Sequence, residues 1–319
     1  MTRKADSRNN VGFTPPSLVE MECRPILPLE AKSVSLLRST IVIPSFPAIL
    51  VEFVQNSLDA RASSISLFLD LNHWSIKCED DGDGMTEADL ERIGGRERYW
   101  TSKLGNGLEI GQVDTFGFRG EALASIADVS TLEVRTRSRW DVEGESYSLI
   151  LENGERIHSG IASTRRNGPG TTVWARDVYS KVSTLSVARR RNVLISIIGL
   201  QWPVRRRPVS TPAGRLALLT SFRNSLATLS LLHPLVSFNL VDSSTADSKR
   251  LLSVNKMREG VLGRWKQLWG RAGVENVYEF EDTAGEFSAS GFFSLTASHS
   301  KGSQFVCTSF AQSLVFSAD

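Results

Sequence analysis

The stretch Thr115-Phe116-Gly117-Phe118-Arg119-Gly120-Glu121-Ala122-Leu123-Ala124-Ser125-Ile126 constrains this chain most, because glycines and an arginine run directly into a helix-forming segment. Such a junction builds a phosphate cradle. Gly117 and Gly120 can take positive φ and bring backbone N–H groups up to an anion, and a helix opening near Glu121 adds unpaired amides and the positive end of its dipole. Arg119 can add a charge-assisted fork to phosphate oxygens. A glycine pair before a helix is also an ordinary turn, so the motif takes its meaning from two earlier segments.

The first is the run Pro47 to Ala60, with its proline at a plausible first helical turn. Glu52, Asn56 and Asp59 fall at i, i+4 and i+7 and form a polar stripe, while Ile49, Leu50, Phe53, Val54 and Leu58 cover the other sides. A carboxylate one turn from a carboxamide suits metal–nucleotide chemistry. Asn56 can offer Mg²⁺ a hard oxygen, and Glu52 can polarise the water that attacks a γ-phosphate. The plain alternative, a solvated face on an amphipathic helix, sits poorly with so many apolar neighbours. The second segment runs from Trp74 to Met85. Period two puts Trp74, Ile76, Cys78 and Asp80 on one face, so a carboxylate occupies the buried side at the strand's end. A buried carboxylate needs a donor. The exocyclic amine of adenine would serve, with Gly82 and Gly84 letting the base lie against the backbone. Asp81 and Asp83 read as an acidic surface turn, since the later ligands of a calcium loop do not follow them.

In this order the three segments resemble the GHKL ATPase fold shared by gyrase, Hsp90, histidine kinases and MutL. Asn56-Ser57-Leu58-Asp59-Ala60, Thr101-Ser102-Lys103 and Gly117 to Ile126 resemble more narrowly the MutL family of DNA mismatch-repair ATPases. Arg98 to Lys103, Thr115 to Arg119 and Leu295 to Lys301 resemble within it the third eukaryotic MutL homologue, best known in meiotic crossing over. The resemblance implies an α+β chain: a GHKL (Bergerat) ATPase α/β sandwich followed by an incomplete ribosomal-S5-like transducer domain. It makes Glu52 the general base, Asn56 the Mg²⁺ ligand and Asp80 the adenine contact. Ser102, Lys103 and the segment Gly117, Phe118, Arg119, Gly120, Glu121, Ala122 and Leu123 would hold the phosphates of ATP, with the lid around Gly105 to Gly120. Gly168-Pro169-Gly170-Thr171-Thr172-Val173 resembles the family's later Gly-Thr motif, and either Thr171 or Thr172 would join Asp80. The implied partners are another MutL homologue in a heterodimer, DNA bound without sequence preference, and MutS-type mismatch sensors, all in the nucleus.

Composition sets limits on this reading. At 319 residues, 41% hydrophobic and 23% charged, the chain can bury a full core. A formal charge of +2 means that any nucleic-acid contact must come from a local patch. Arg189-Arg190-Arg191 and Arg205-Arg206-Arg207 are the candidates, with solvated charge runs as the alternative. Cys23, Cys78 and Cys307 lack CxxC spacing, which argues against a zinc site or a disulfide framework and favours a reducing compartment. His73, His158, His233 and His299 are widely separated, so no metal-dependent nuclease is expected. Met1 to Asn10 lack an apolar leader core, and no apolar run approaches bilayer length, so no membrane role is expected.

The expected organisation is a disordered lead over 1–20, an ATPase domain over 21–256 and a partial transducer domain over 257–319. Strands are expected at Ser64 to Leu69, Trp74 to Asp80, Thr131 to Thr136 and Thr171 to Ala175. Helices are expected at Ala48 to Ala60, Glu87 to Gly94, Glu121 to Ala127 and Ala217 to Leu232. Val182 to Gln201 match no family segment and read as intron sequence translated in frame, or as a loop insertion, whose closure cost grows slowly with length. After Cys307 the family pattern ends, without the transducer lysine and the dimerisation region. The rival reading is a truncated, non-catalytic remnant that acts at most as a binding module.

Overall fold

A computed structural model describes residues 31–93, 121–180, 205–270, 277–284, 287–294, 306–310 and 313–317. Two helices come first, α1 (Ala31–Val42) and α2 (Phe46–Asp59). Helix α2 starts from Ser45 in extended conformation with Pro47 in its first turn, where a missing N–H costs nothing. It turns Phe46, Ile49, Leu50, Phe53, Val54 and Ser57 inward, the set that a 3.6-residue period places on one side. Strands β1 (Ser64–Asp70) and β2 (Ser75–Asp80) follow and pair antiparallel. In β2 the even positions Ile76, Cys78 and Asp80 are buried, while Lys77 and Glu79 are half-buried. A Thr86–Asp89 capping box opens the short helix α3 (Glu87–Arg92).

Helix α4 (Ala122–Val129) leads into β3 (Thr131–Arg137), β4 (Tyr147–Glu152), β5 (Glu155–Ile161) and β6 (Gly170–Arg176). Helix α5 (Pro212–Leu232) is capped by the Thr211 hydroxyl, which accepts the Gly214 N–H at 3.1 Å. After it come β7 (Ser237–Asp242), β8 (Lys249–Val254) and α6 (Gly260–Trp269). Two hairpins complete the described chain, β9 (Val277–Ala284) with β10 (Phe287–Ser294) and β11 (Val306–Phe310) with β12 (Ser313–Ser317).

The first eight strands form one sheet in the order β5-β4-β3-β6-β2-β1-β7-β8. Every ladder in it is antiparallel except β1 with β7, which is parallel. Helices α2, α4 and α5 pack over one face. Ile65, Leu67, Leu69, Leu132, Val134, Leu149, Leu151, Ala175 and Leu240 from the strands meet Ile49, Leu50, Val54, Ile126 and Phe222 from the helices there, all fully buried. Each of these side chains larger than alanine contributes roughly 1.5–3 kcal/mol by leaving water. An aromatic cluster closes one end: Phe46 stacks on Trp74 at 5.2 Å and meets Phe222 edge-on at 5.1 Å. The other face carries alternating charge and aromatic surface. Lys77 lies 4.4 Å from the Phe68 ring centre and 2.8 Å from Glu79, and Arg176 lies 3.6 Å from the Trp174 ring centre and 2.6 Å from Glu133.

The sequence pattern missed several elements and shifted others. Trp74 leaves the strand: at φ 48° it turns the chain before β2, because its ring belongs to the aromatic cluster. Helix α5 begins at Pro212, five residues before the predicted start at Ala217, because Thr211 and Pro212 supply an N-terminus. Helices α1 and α6 and strands β4, β5, β7 and β8 were not anticipated.

Side chains just before helix α5 bond back to the chain that follows β6 and to the α1–α2 turn. Arg206 donates from Nε at 2.8 Å and from Nη2 at 2.6 Å to the Val178 carbonyl, and Arg205 donates to the Ile43 carbonyl at 2.9 Å. Their guanidinium groups also lie 5.3 Å from the Trp74 ring centre and 5.2 Å from that of Tyr179. Two arginines of the second basic triplet are therefore fastened into the fold, leaving Arg207 as its exposed member. The lead over 1–20, the lid around Gly105 to Gly120, Arg189 to Arg191 and the segment 182–201 lie outside the described residues.

Candidate functional site

Asp80 ends β2 on the helix-covered face, with only 7% of its surface exposed. Its carboxylate is held from three elements. Ser57 of α2 donates Oγ–H to Oδ2 at 2.8 Å, and the N–H groups of Gly82 and of Thr171 in β6 both donate to Oδ1 at 3.0 Å. Burial pushes the Asp80 carboxyl above its ordinary value, against the pull of these three donors and of the nearby Arg166 charge. Gly170 is a glycine by necessity: with φ +124°, a Cβ there would stand 2.2 Å from the Asp80 carbonyl oxygen. That contact brings the Thr171 N–H onto the carboxylate.

The two threonines separate cleanly. Thr171 is buried beside Asp80, with its hydroxyl 3.2 Å from that of Thr136, which also accepts the Met85 N–H at 2.8 Å. Thr172 points to the helix-free face, where it bonds Arg166 and lines a small hollow with Lys77, Glu79, Glu133, Arg135 and Trp174. Gly84 and Gly82 answer to neighbouring backbone. A Cβ at Gly84 would stand 2.0 Å from the Arg137 carbonyl oxygen, and one at Gly82 would stand 2.6 Å from that of Ala60. Asp81 anchors the start of β1, accepting the N–H groups of Ser63 at 2.7 Å and Ser64 at 2.8 Å.

From Ser57, helix α2 runs back past Asn56 to Glu52. Both are half-buried and share a helix face with Asp59. A carboxamide and a carboxylate are hard oxygen donors suited to Mg²⁺, which takes few protein ligands beside a substrate's phosphates. Among the described residues no group of three or more His, Cys, Asp or Glu side chains could hold a metal by itself. Glu121 stands at the cap of α4, and Ala122 and Leu123 form its first turn. Ser102, Lys103, Gly117, Phe118, Arg119 and Gly120 lie outside the described residues.

Comparison with known proteins places this arrangement. The profile of the family described as "Histidine kinase-, DNA gyrase B-, and HSP90-like ATPase" matches residues 44–162, which contain α2, Asp80 and α4. The chain is 31% identical over 257 residues to the DNA mismatch repair protein MLH3 of Arabidopsis thaliana, covering 80% of this chain and 20% of that protein. It is 30% identical over 217 residues to the DNA mismatch repair protein MutL of Rippkaea orientalis, covering 68% of this chain and 33% of that one. The chain carries a MutL-family GHKL ATPase region. The MutL ATPase domain of Aquifex aeolicus, solved with ADP, shares the fold at a TM-score of 0.51 and 19% identity, over 79% of this chain and 77% of that one. The chain spans about a fifth to a third of the length of the two relatives.

Two residues that bond Asp80 were not singled out by sequence reasoning. Ser57 stood within the quoted Asn56-Ser57-Leu58 motif, and its separation from Asp80 gave no sign that the two meet. Arg166 had no signal at all, since an arginine in a polar loop is commonplace.

Proposed function

We propose that this region binds ATP with Mg²⁺ and hydrolyses it slowly, as the ATP-gated part of a MutL-type mismatch-repair protein. The observation that carries the reading is Asp80: a buried carboxylate, preset by Ser57, Gly82 and Thr171, beside the Glu52–Asn56 stripe of α2. Asp80 accepts from the adenine amine, the contact that fixes the base. Asn56 supplies an amide oxygen to Mg²⁺, which when bound neutralises charge on the phosphates. Glu52 holds the attacking water and takes its proton. The ADP complex of the A. aeolicus MutL ATPase domain supports nucleotide as the ligand. A carboxylate already surrounded by its donors argues against a remnant unable to form its site.

Beyond the site, the family points to pairing with a second MutL homologue, DNA contact without sequence preference, cooperation with MutS-type sensors, and action in the nucleus, in repair and with meiotic recombination as a second setting. A lid over 105–120 would couple ATP to pairing, and 257–319 would serve as the transducer domain.

The test is Mg²⁺-dependent ATP binding and turnover by the purified chain beside Glu52→Ala and Asn56→Ala. Glu52→Ala is expected to keep binding and lose turnover by 10²-fold or more, roughly what a general base supplies. Asn56→Ala is expected to weaken Mg²⁺-dependent binding. A parent chain that binds no nucleotide would sink the proposal.

A further inference from the structure

Among the described residues, Arg166 stands beside the site with no role in the nucleotide reading. Arg166 sits in the loop before β6 and reaches two strands at once. Its Nη2 donates to the Asp80 carbonyl oxygen at 2.8 Å, and its Nη1 donates to the Thr172 hydroxyl. The arginine is itself held, because its N–H donates to Ser146 Oγ at 2.9 Å and its carbonyl accepts from Arg137 at 3.1 Å. The final partner pair of the β2–β6 ladder is Glu79 with Thr172. The guanidinium thus joins the strands where their own hydrogen bonding ends, at the peptide that carries the site carboxylate. It does so from the helix-free side, opposite the Ser57 and Thr171 bonds to that carboxylate.

We infer that Arg166 is a positioning residue for base recognition: by clamping the Asp80 peptide to β6 from the far face of the sheet, it keeps the carboxylate aimed and so sets the preference for adenine over guanine nucleotides. The inference rests on the nucleotide reading of Asp80. At the same ring position adenine presents an amine donor and guanine a carbonyl acceptor. A fixed, charged acceptor favours the first and repels the second. A carboxyl group able to turn, or to take up a proton and donate it, loses much of that discrimination. The Arg166 charge works in the same direction, since it opposes the effect of burial on Asp80.

The test is calorimetric titration of the full chain with Mg·ADP and with Mg·GDP, for the parent, Arg166→Gln and Arg166→Lys. The parent should prefer ADP. Arg166→Gln should lose about tenfold in ADP affinity, the scale of one hydrogen bond to a charged group, and most of the ADP:GDP ratio, while still melting cooperatively. Arg166→Lys keeps the charge and one reach and should recover part of the ratio. An unchanged ratio in Arg166→Gln overturns the inference even if its Tm falls, because that is how a purely structural arginine behaves. If Arg166→Gln does not fold, Thr172→Val frees one arm of the fork and decides: a narrowed ratio supports the inference and an unchanged one overturns it. A parent chain that fails to bind ADP is a separate result, and it removes the nucleotide reading together with this one.

Discussion

Asp80, proposed above as the adenine contact, works against the fold that holds it. Its folded-state pKa is raised, so the native protein keeps the proton more tightly than the unfolded chain does. Between the ordinary carboxylate value and the raised one, increasing pH therefore favours unfolding, and the charged carboxylate lowers stability above that window. Asp80→Asn keeps an oxygen for the Gly82 and Thr171 N–H groups and removes the buried charge. We expect it to abolish nucleotide binding while matching or exceeding the parent in stability at neutral pH. Melts of both proteins across the acid range would check this: the difference should grow in favour of Asp80→Asn as pH rises through the window, and a variant less stable throughout would refute it. The sequence displayed Asp80 because alternation along β2 is a local property. Ser57 and Arg166 were hidden because their partners come from distant chain positions, and contacts across such separations leave no periodic mark.

Elements were legible where their own residues decide them. Helix α2 has a first-turn proline and an unbroken apolar face, and α3 has a capping box. Strand β5 was not legible: all but one of its residues are exposed, so it exists by pairing with β4 and carries no alternation of its own. The same dependence on context explains Arg205 and Arg206, which look like free charge in the sequence and serve as fasteners in the fold. Because Arg206 grips Val178, the chain segments on either side of 181–204 are held to each other without help from that stretch. Deleting 182–201 should therefore leave the melt cooperative and stability unchanged or raised by about 1 kcal/mol, as loop-closure entropy is relieved. A lost or broadened transition on calorimetry would instead show that the segment is part of the folded core.

Across the whole molecule, α6 is joined to the α5–β7 turn by Arg264, a side chain with 0% exposure. Its Nη2 donates to the carbonyls of His233 at 3.3 Å, Pro234 at 2.8 Å and Val236 at 2.5 Å, and burial pushes its guanidinium pKa down to about 10. Arg264→Met retains much of the volume and removes donors from all three carbonyls. A loss of roughly 2–4 kcal/mol is expected in denaturant unfolding, from unsatisfied buried acceptors. A loss under 0.5 kcal/mol would show that water takes over the role. The parallel pairing of β1 with β7 has a consequence for how the protein is made. Strand β1 sits inside the sheet, with β2 on one side and β7 on the other, and Ser64 finds its register opposite Ser237. On the ribosome, the backbone edge of β1 that pairs with β7 must wait open until the chain has been synthesised through β7, and over that interval it is a strand edge able to mispair with another chain.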